Sequence, residues 1–162
     1  MVTIDQYLFA LALLAALGCG LIAGVFFAFS SFVMKALARL PAGEGITAMQ
    51  SINIVVLKSW FIAVFMGTAA LSVLALIYSL FRLHEPGAIY LLFGSVLYLV
   101  GSFFVTIVFN VPRNEALASV APDDPNSARL WSGYVTSWTG WNHVRTVAAL
   151  VAAASFSIAL AC

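Results

Sequence analysis

The residues best suited to chemistry stand where the last apolar stretch of the sequence begins. Trp138, Asn142, His143 and Arg145 lead directly into the uncharged run 146–162. Only 17 residues follow Arg145, whereas about 20 helical residues are needed to cross the hydrocarbon core of a bilayer. We therefore expect Arg145, and with it His143, to lie at bilayer depth, where an ionisable side chain indicates a functional site.

The composition places these residues in an integral membrane protein. The 162 residues are 64% hydrophobic and 8% charged, with a mean hydropathy of +1.08. The sequence lacks the segments of alternating polarity that are typical of a transmembrane barrel, and a net charge of +1 gives no reason to expect a nucleic-acid partner. Uncharged stretches instead predict an all-α, antiparallel four-helix bundle that forms one domain over residues 1–162. The four spans are predicted at about residues 6–34, 55–81, 87–111 and 141–162.

Breaker residues define the connections between these helices. Pro and Gly in the segment 41–45 end the first helix, and a Pro-Gly turn at 86–87 joins the second to the third. No breaker occurs in 46–81, which predicts one long second helix that projects beyond the membrane. A short extra-membrane helix is expected over about 128–137, in the loop between the third and fourth spans.

Basic residues predict the orientation in the membrane. Four spans place the 1–2 and 3–4 loops on one side, which carries six of the seven Lys and Arg residues, whereas Arg82 alone lies on the other. The positive-inside rule then predicts a multi-pass protein of the cell (inner) membrane with these loops cytoplasmic and both termini outside. Gly20 and Gly24 form a GxxxG spacing, which serves close packing within the bundle or, alternatively, a homo-oligomer contact.

Polar and aromatic side chains collect at the cytoplasmic end of the predicted bundle. Two helix N-termini, each equivalent to roughly half a positive charge, and Arg145 favour an anion there. The aromatic rings suit a small hydrophobic aromatic ligand dissolved in membrane lipid. Snorkelling of Arg145, interhelical hydrogen bonding by the asparagines and ordinary core packing of the rings are the structural alternatives. The candidate residues are Ser30, Asn53, Trp60, Phe103, Thr106, Asn110, Asn114, Tyr134, Trp138, Trp141, Asn142, His143 and Arg145.

His143 and a metal site are the two open questions of this stage. On an ideal helix, His143 points roughly 100° or more away from Asn142 and Arg145, so it either faces a neighbouring helix or subunit or turns inward to act in the pocket. The second histidine, His84, belongs to the opposite end of the bundle. No ligand spacing marks a metal site, and we predict none, with haem or copper bound by His143 and a further ligand as the alternative.

Four segments resemble the anthrone oxygenase family of small four-span membrane proteins. They are FFAFSSFVMKALARLP, AMQSIN, FFVTIVFNVPRNEAL and WTGWNHVRTVAALVAA, at 26–41, 48–53, 103–117 and 138–153. Bacterial members are largely catalogued as a domain of unknown function, whereas fungal members oxidise an anthrone to an anthraquinone with molecular oxygen. The positions of this chain that match the family are Asn53, Asn110, Pro112, Asn114, Trp138, Asn142, His143 and Arg145.

The resemblance implies a membrane oxygenase that acts on an anthrone-like or other phenolic, quinone-type substrate. Molecular oxygen would be the co-substrate, and no cofactor is predicted. Neutral His143 would remove a proton from the substrate, while Arg145, Asn110 and Asn142 would stabilise the resulting enolate. The alternatives are a non-enzymatic scaffold or lipid- or quinone-binding protein, and a haem or copper membrane protein.

Overall fold

A computed structural model describes residues 4–162 as a series of helices, with no strand in that range. Residues 1–3, and with them the start of the N-terminus that we predict to lie outside the cell, fall outside the described part. Helix α1 covers Ile4–Ala28 and continues through a π-helical turn, Phe29–Val33, into Met34–Leu37. The remaining helices are α2 (Ala42–Val56), α3 (Trp60–Phe81), α4 and α5 (Ser127–Ala159). Helix α4 consists of Ala88–Val96, the π-helical segments Leu97–Phe104 and Thr106–Asn110, and Val111–Ala118.

Three described helices are long and apolar enough to cross a membrane: Gln6–Leu37, Trp60–Phe81 and Ala88–Ala118. The all-helical class is therefore confirmed, and the chain has the character of a multi-pass membrane protein. Helix α5 is 33 residues long but is not among the three, because Asn142, His143 and Arg145 interrupt the stretch that would have to cross. The fourth span stays a prediction.

The long second helix that we expected over 46–81 is wrong, because the structure divides it into α2 and α3. The chain leaves helical geometry after Val56, and Ser59 adopts extended angles, φ −97° and ψ 162°. The Ser59 hydroxyl donates to the Val56 carbonyl at 2.7 Å, a local bond of the kind by which serine competes with helix continuation. The apolar pattern of residues 46–81 does not predict this break.

The separate short helix expected over 128–137 is also wrong. Helix α5 begins at Ser127, close to the expected start, but runs without interruption to Ala159. The sequence between these ends contains two glycines and no proline, and Gly133 and Gly140 have open space around them. The helix has no steric reason to stop, so Tyr134 and Trp138 are rigidly joined to Arg145.

Small residues let α5 pack closely against α1 and α4. Ala15 and Cys19 of α1 and Ala149 and Ala152 of α5 are fully buried in one core cluster. A Cβ atom on Gly101 would lie 2.6 Å from the Ala148 Cβ, so only glycine permits this approach of α4 to α5. Close backbone contact of this kind is the main packing device available within lipid.

A second core cluster joins α2 to the ends of the other helices, where Met34, Ile46, Met49 and Trp131 are buried together. The Gln50 side chain fixes α2 by donating to the Leu117 and Val120 carbonyls at 2.9 and 3.0 Å. The candidate site lies where this cluster meets the apolar core. Gly20 and Gly24, in contrast, point away from the bundle, and a Cβ atom added to either would meet no other atom within 4 Å.

Candidate functional site

Arg145 is a buried cation without an anionic partner. Its side chain is 4% exposed, and its two Nη atoms donate to Thr106 Oγ1 at 3.2 Å and to Asn142 Oδ1 at 2.5 Å. The only ion pair among the side chains of residues 6–162 joins Arg82 to Glu85 at the other end of the bundle. Both acceptors of Arg145 are neutral, so its positive charge is solvated by dipoles but not neutralised.

Aromatic rings cover the guanidinium of Arg145 on its remaining sides. Arg145 Cζ lies 4.2 Å from the centroid of the Phe26 ring and 5.1 Å from that of Trp138. Such contacts stabilise a desolvated cation by about 2 kcal/mol, but they do not cancel its charge. The residue is therefore held in the bundle as a cation that can still attract an anion.

Asn142 fixes the position of this guanidinium. Its Nδ2 donates to the Phe26 carbonyl and to Ser30 Oγ, both at 2.7 Å, which orients Oδ1 toward Arg145. Ser30 Oγ is in turn 3.2 Å from Thr146 Oγ1, and that hydroxyl donates to the Asn142 carbonyl at 2.8 Å. This closed network ties α1 to α5 and leaves Asn142 with no hydrogen-bond donor free for a ligand.

Two asparagines of α4 hold Trp138. Asn110 Nδ2 donates to the Trp138 carbonyl at 3.3 Å, while Asn114 Oδ1 accepts from Trp138 Nε1 at 2.8 Å and from the Tyr134 hydroxyl at 2.9 Å. The indole ring is thus fixed at both its backbone and its ring nitrogen. Asn110 is buried and its Oδ1 has no partner.

A cavity of about 140 Å³ opens beside Arg145 between α1, α2, α3 and α4. Its wall is mostly apolar, and the polar residues that reach it are few. Asn53, Thr106, Asn114 and Arg145 line it together with aromatic and aliphatic side chains. The aromatic members are Phe26, Phe29, Phe61, Phe65 and Trp138.

π-Helical turns place several of these groups. Ser30 lies in the π-helical turn of α1, and Thr106 and Asn110 lie in one of α4. A π-helical turn shifts the register of side chains around the helix and is frequent at functional sites. The turn over Thr106–Asn110 ends two residues before Pro112, and the helix continues to Ala118 although proline lacks an N–H group.

The comparison with known families decides the family of this site. Residues 58–155 match the sequence model of the family described as anthrone oxygenase. The chain belongs to the anthrone oxygenase family. Five residues of the site described above lie within the range that matches the anthrone oxygenase model: Thr106, Asn110, Trp138, Asn142 and Arg145. No curated protein and no solved structure matches the chain.

Most predicted site residues of this family member lie in the cavity wall or contact a residue that does. Four are elsewhere. Trp60 is 87% exposed on the outer surface, because the break before α3 turns its ring outward. Trp141 stacks on Phe109 with ring centroids 3.6 Å apart, and Phe103 stacks behind Phe65 at 5.3 Å. His143 is exposed and borders a separate surface groove beside Lys35.

The position of His143 disagrees with its predicted role as the base. It follows from the regular geometry of α5, which turns His143 away from the face that carries Asn142 and Arg145. The phenol of Tyr134 is no substitute, because burial raises the pKa of this hydroxyl above its ordinary value, although Asn53 and Arg145 lower it somewhat. Tyr134 precedes the apolar run and is neutral at physiological pH.

Sequence reasoning missed the apolar half of the cavity wall. Phe26, Phe29, Phe61 and Phe65 are ordinary core residues by type, and only the first two fall within a segment that carries the family resemblance. Helical periodicity from Trp60 would have placed Phe61 and Phe65 on one face, but not the direction of that face. Over residues 6–162, whose side chains the structure describes, no group of three or more His, Cys, Asp and Glu residues is arranged to hold a metal ion.

Proposed function

We propose that this member of the anthrone oxygenase family is a membrane oxygenase that converts an anthrone-like methylene to a ketone with molecular oxygen. The observation that carries the proposal is Arg145, a buried cation with no anionic partner beside an aromatic-lined cavity. An anionic ligand in the cavity would neutralise this buried positive charge. An anthrone does so when it loses a methylene proton, because the resulting enolate is delocalised over three rings.

Arg145 makes this ionisation easier. A unit charge about 4 Å from the enolate oxygen contributes roughly 4 kcal/mol at an effective dielectric constant of 20. That energy raises the ionised fraction of a weakly acidic substrate by about a thousandfold. Because Arg145 is already desolvated and held by Asn142 and Thr106, little reorganisation is needed when the charge forms.

The proposed reaction needs no carboxylate or histidine in the cavity. Among the described lining residues there is none, so we assign the proton to water at the cavity mouth, where the substrate ionises as it enters. This assignment replaces His143 as the base. The electron-rich ring carbon of the enolate then transfers electrons to oxygen and forms a carbon–oxygen bond, and the resulting peroxide anion takes a proton back from water to become a hydroperoxide. Loss of water from the hydroperoxide completes the balance, in which anthrone and oxygen give anthraquinone and one water.

The cavity size indicates how such a substrate sits. A volume of about 140 Å³ is less than the roughly 300 Å³ at the lower end of pockets that enclose drug-sized ligands. A three-ring substrate therefore inserts one edge and leaves the rest toward the mouth. Val25 and Leu57 line the cavity and are also exposed on the outer surface, which supports entry of the substrate from the surrounding lipid.

The membrane arrangement that goes with this function is the four-span antiparallel bundle. Helix α5 would be the fourth span and would carry Arg145 into the membrane, with the 1–2 and 3–4 loops in the cytoplasm and the termini outside. The outward position of Gly20 and Gly24 leaves their stripe available for a second copy. Oxygen is the only co-substrate in this proposal, and no resident cofactor is required.

Replacement of Arg145 tests the proposed reaction. Membranes that contain the wild-type chain are supplied with anthrone and oxygen, and quinone formation and oxygen uptake are followed above the spontaneous rate. We expect Arg145→Gln to reduce the enzymatic rate by about 100-fold or more, the range found for loss of one oxyanion donor. Arg129→Gln is the matched control, since Arg129 lies exposed on the same helix and its loss should leave the rate unchanged.

A second function, binding of a quinone or lipid without catalysis, is favoured by the lack of an acid or base in the described cavity wall. It predicts a ligand that co-purifies with the protein and no oxygen uptake with any tested phenol. Equal rates of quinone formation in membranes with and without the protein would therefore replace the oxygenase by this binding function.

A further inference from the structure

Two buried hydrogen-bond donors of the cavity wall have no partner. They are Nδ2 of Asn53 and Nε of Arg145, and both residues line the same cavity. Buried donors are nearly always satisfied, and an exception calls for an explanation. The proposed enolate oxygen would be the partner of Arg145 Nε, but it leaves Asn53 Nδ2 without a partner.

The acceptors near Asn53 are already engaged. Asn114 Oδ1 accepts two hydrogen bonds, from Tyr134 and Trp138. The Asn53 side chain lies near the Tyr134 oxygen and lowers the pKa of the phenol as a hydrogen-bonding neighbour. The alignment is too poor to satisfy Asn53 Nδ2, which has no hydrogen-bond partner, and the Tyr134 proton goes to Asn114. Thr106 Oγ1 accepts from Arg145 and donates to the Ser102 carbonyl.

The two unpaired donors therefore indicate which groups a ligand must carry. Among the described lining residues, the unpaired buried groups are donors and none is an acceptor. A cavity of about 140 Å³ brings both donors within reach of one inserted edge of a ring system. A ligand that satisfies the wall must carry two acceptor oxygens on that edge.

We propose that Asn53 is a specificity-determining residue that donates to a second oxygen of the ligand, next to the anionic oxygen bound by Arg145. The inference rests on the proposed function for the choice of an aromatic enolate. Asn53 does not touch the reacting carbon in this arrangement. Its hydrogen bond favours ring systems with neighbouring oxygens over those with a single oxygen, so α2, which carries Asn53, determines the ligand specificity of the site.

The location of Asn53 supports a selective role. It is carried by α2, which Gln50 holds to the end of α4 through two carbonyl bonds. Close packing of Gly45 on Trp131, where a Cβ atom would lie 2.7 Å from the ring, further fixes the helix. Asn53 is thus presented from a rigid element, which is what discrimination between similar ligands requires.

The test measures equilibrium binding of two unreactive probes to the purified full-length protein. 1,8-Dihydroxyanthraquinone has three oxygens on one edge, whereas anthraquinone has one oxygen there. Quenching of tryptophan fluorescence reports binding, because Trp138 lines the cavity. We expect the wild type to prefer the dihydroxy probe by at least about tenfold and Asn53→Leu to lose most of that preference, while its affinity for anthraquinone changes less than about twofold.

Two further variants protect this result against a folding artefact. Ser51→Leu makes a similar polar-to-apolar change at an exposed position of the same helix and should keep the wild-type preference. Asn53→Asp keeps the side-chain size, replaces the donor by an acceptor and should weaken the dihydroxy probe at least as much as Asn53→Leu. Each variant is first checked for a single symmetrical peak in gel filtration.

The outcomes separate this inference from the proposed function. If Asn53→Leu weakens both probes equally, or leaves the preference intact because water satisfies Asn53, the specificity role is refuted, whatever the turnover. If the preference behaves as expected but no variant or wild type oxidises an anthrone, the specificity role stands and the oxygenase proposal fails.

Discussion

Buried polar residues occur in both halves of this bundle, but they are bonded differently. In the half toward Arg82, the hydroxyls of Ser72, Ser79 and Ser155 each donate to the carbonyl four residues earlier on their own helix, at 2.6 to 2.9 Å. In the half around Arg145, side chains bond from helix to helix and leave donors unpaired. Three residues are exceptions in the half toward Arg82: the buried hydroxyls of Ser95 and Ser102 have no partner, and the Tyr98 hydroxyl donates to the Phe65 carbonyl of another helix at 3.0 Å.

The difference teaches which buried polar groups indicate a site in a membrane protein. A serine hydroxyl that donates to a carbonyl of its own helix replaces the hydrogen bond it lost with water, so it needs no partner on another helix. Asn142 and Arg145 depend on residues of other helices, and the cation remains uncompensated. Polar residue type alone does not distinguish the two halves, whereas the pattern of satisfied and unsatisfied bonds does.

The largest destabilisation is expected from Asn142→Leu, which removes the central residue of the network around Arg145. The change removes the donor to the Phe26 carbonyl and Ser30 and the acceptor of one Nη of Arg145, and each buried group left unsatisfied costs about 1–3 kcal/mol, more for a charged one. Thermal unfolding in detergent should show a clear fall in Tm, accompanied by loss of probe binding. An unchanged Tm would mean that the Asn142 network does not organise the site.

A much smaller effect is expected from Ser79→Ala. Ser79 is as deeply buried as Asn142, but its only described hydrogen bond is to Ala75 of its own helix, so the loss should be within about 1 kcal/mol, as for a typical net hydrogen bond. The same unfolding assay compares the two variants directly. Equal destabilisation by both would remove the distinction between the two halves.

The smallest effect is expected from His143→Gln. His143 is exposed and lies outside the cavity, so the oxidation rate should remain within about twofold of the wild type between pH 6 and 8. A rate that falls by tenfold, or loses its pH dependence in this range, would return His143 to the role of base and contradict the proton path through water at the cavity mouth.

The sequence was sufficient for the parts of this account that depend on composition and on helical spacing. Long uncharged stretches predict apolar helices because the bilayer offers no partner for exposed backbone groups, and spacing on one helix separates His143 from Arg145. The cluster at one end follows from connectivity, and the structure brings Asn53, Thr106, Asn114, Trp138 and Arg145 to one cavity.

The parts that failed depend on local backbone geometry. The break at Ser59 lies in an apolar pattern without proline or glycine, and it decides both that α2 is separate and that Trp60 faces outward. The π-helical turns at Ser30 and Thr106 change which side chains meet, although their residues carry no distinctive signal. Tertiary contacts select these departures, so residue types alone do not predict them.

The central claim is that Arg145 binds the negative charge of an aromatic ligand, and a matched ligand pair tests it directly. Binding of a hydroxyanthraquinone is compared with that of its methyl ether, which keeps the oxygen but cannot ionise, in wild type and Arg145→Gln at a pH where the hydroxyl is ionised. We predict that the wild type prefers the ionised ligand by at least about tenfold and that Arg145→Gln abolishes the preference. Equal affinities of the wild type for both ligands would contradict the account.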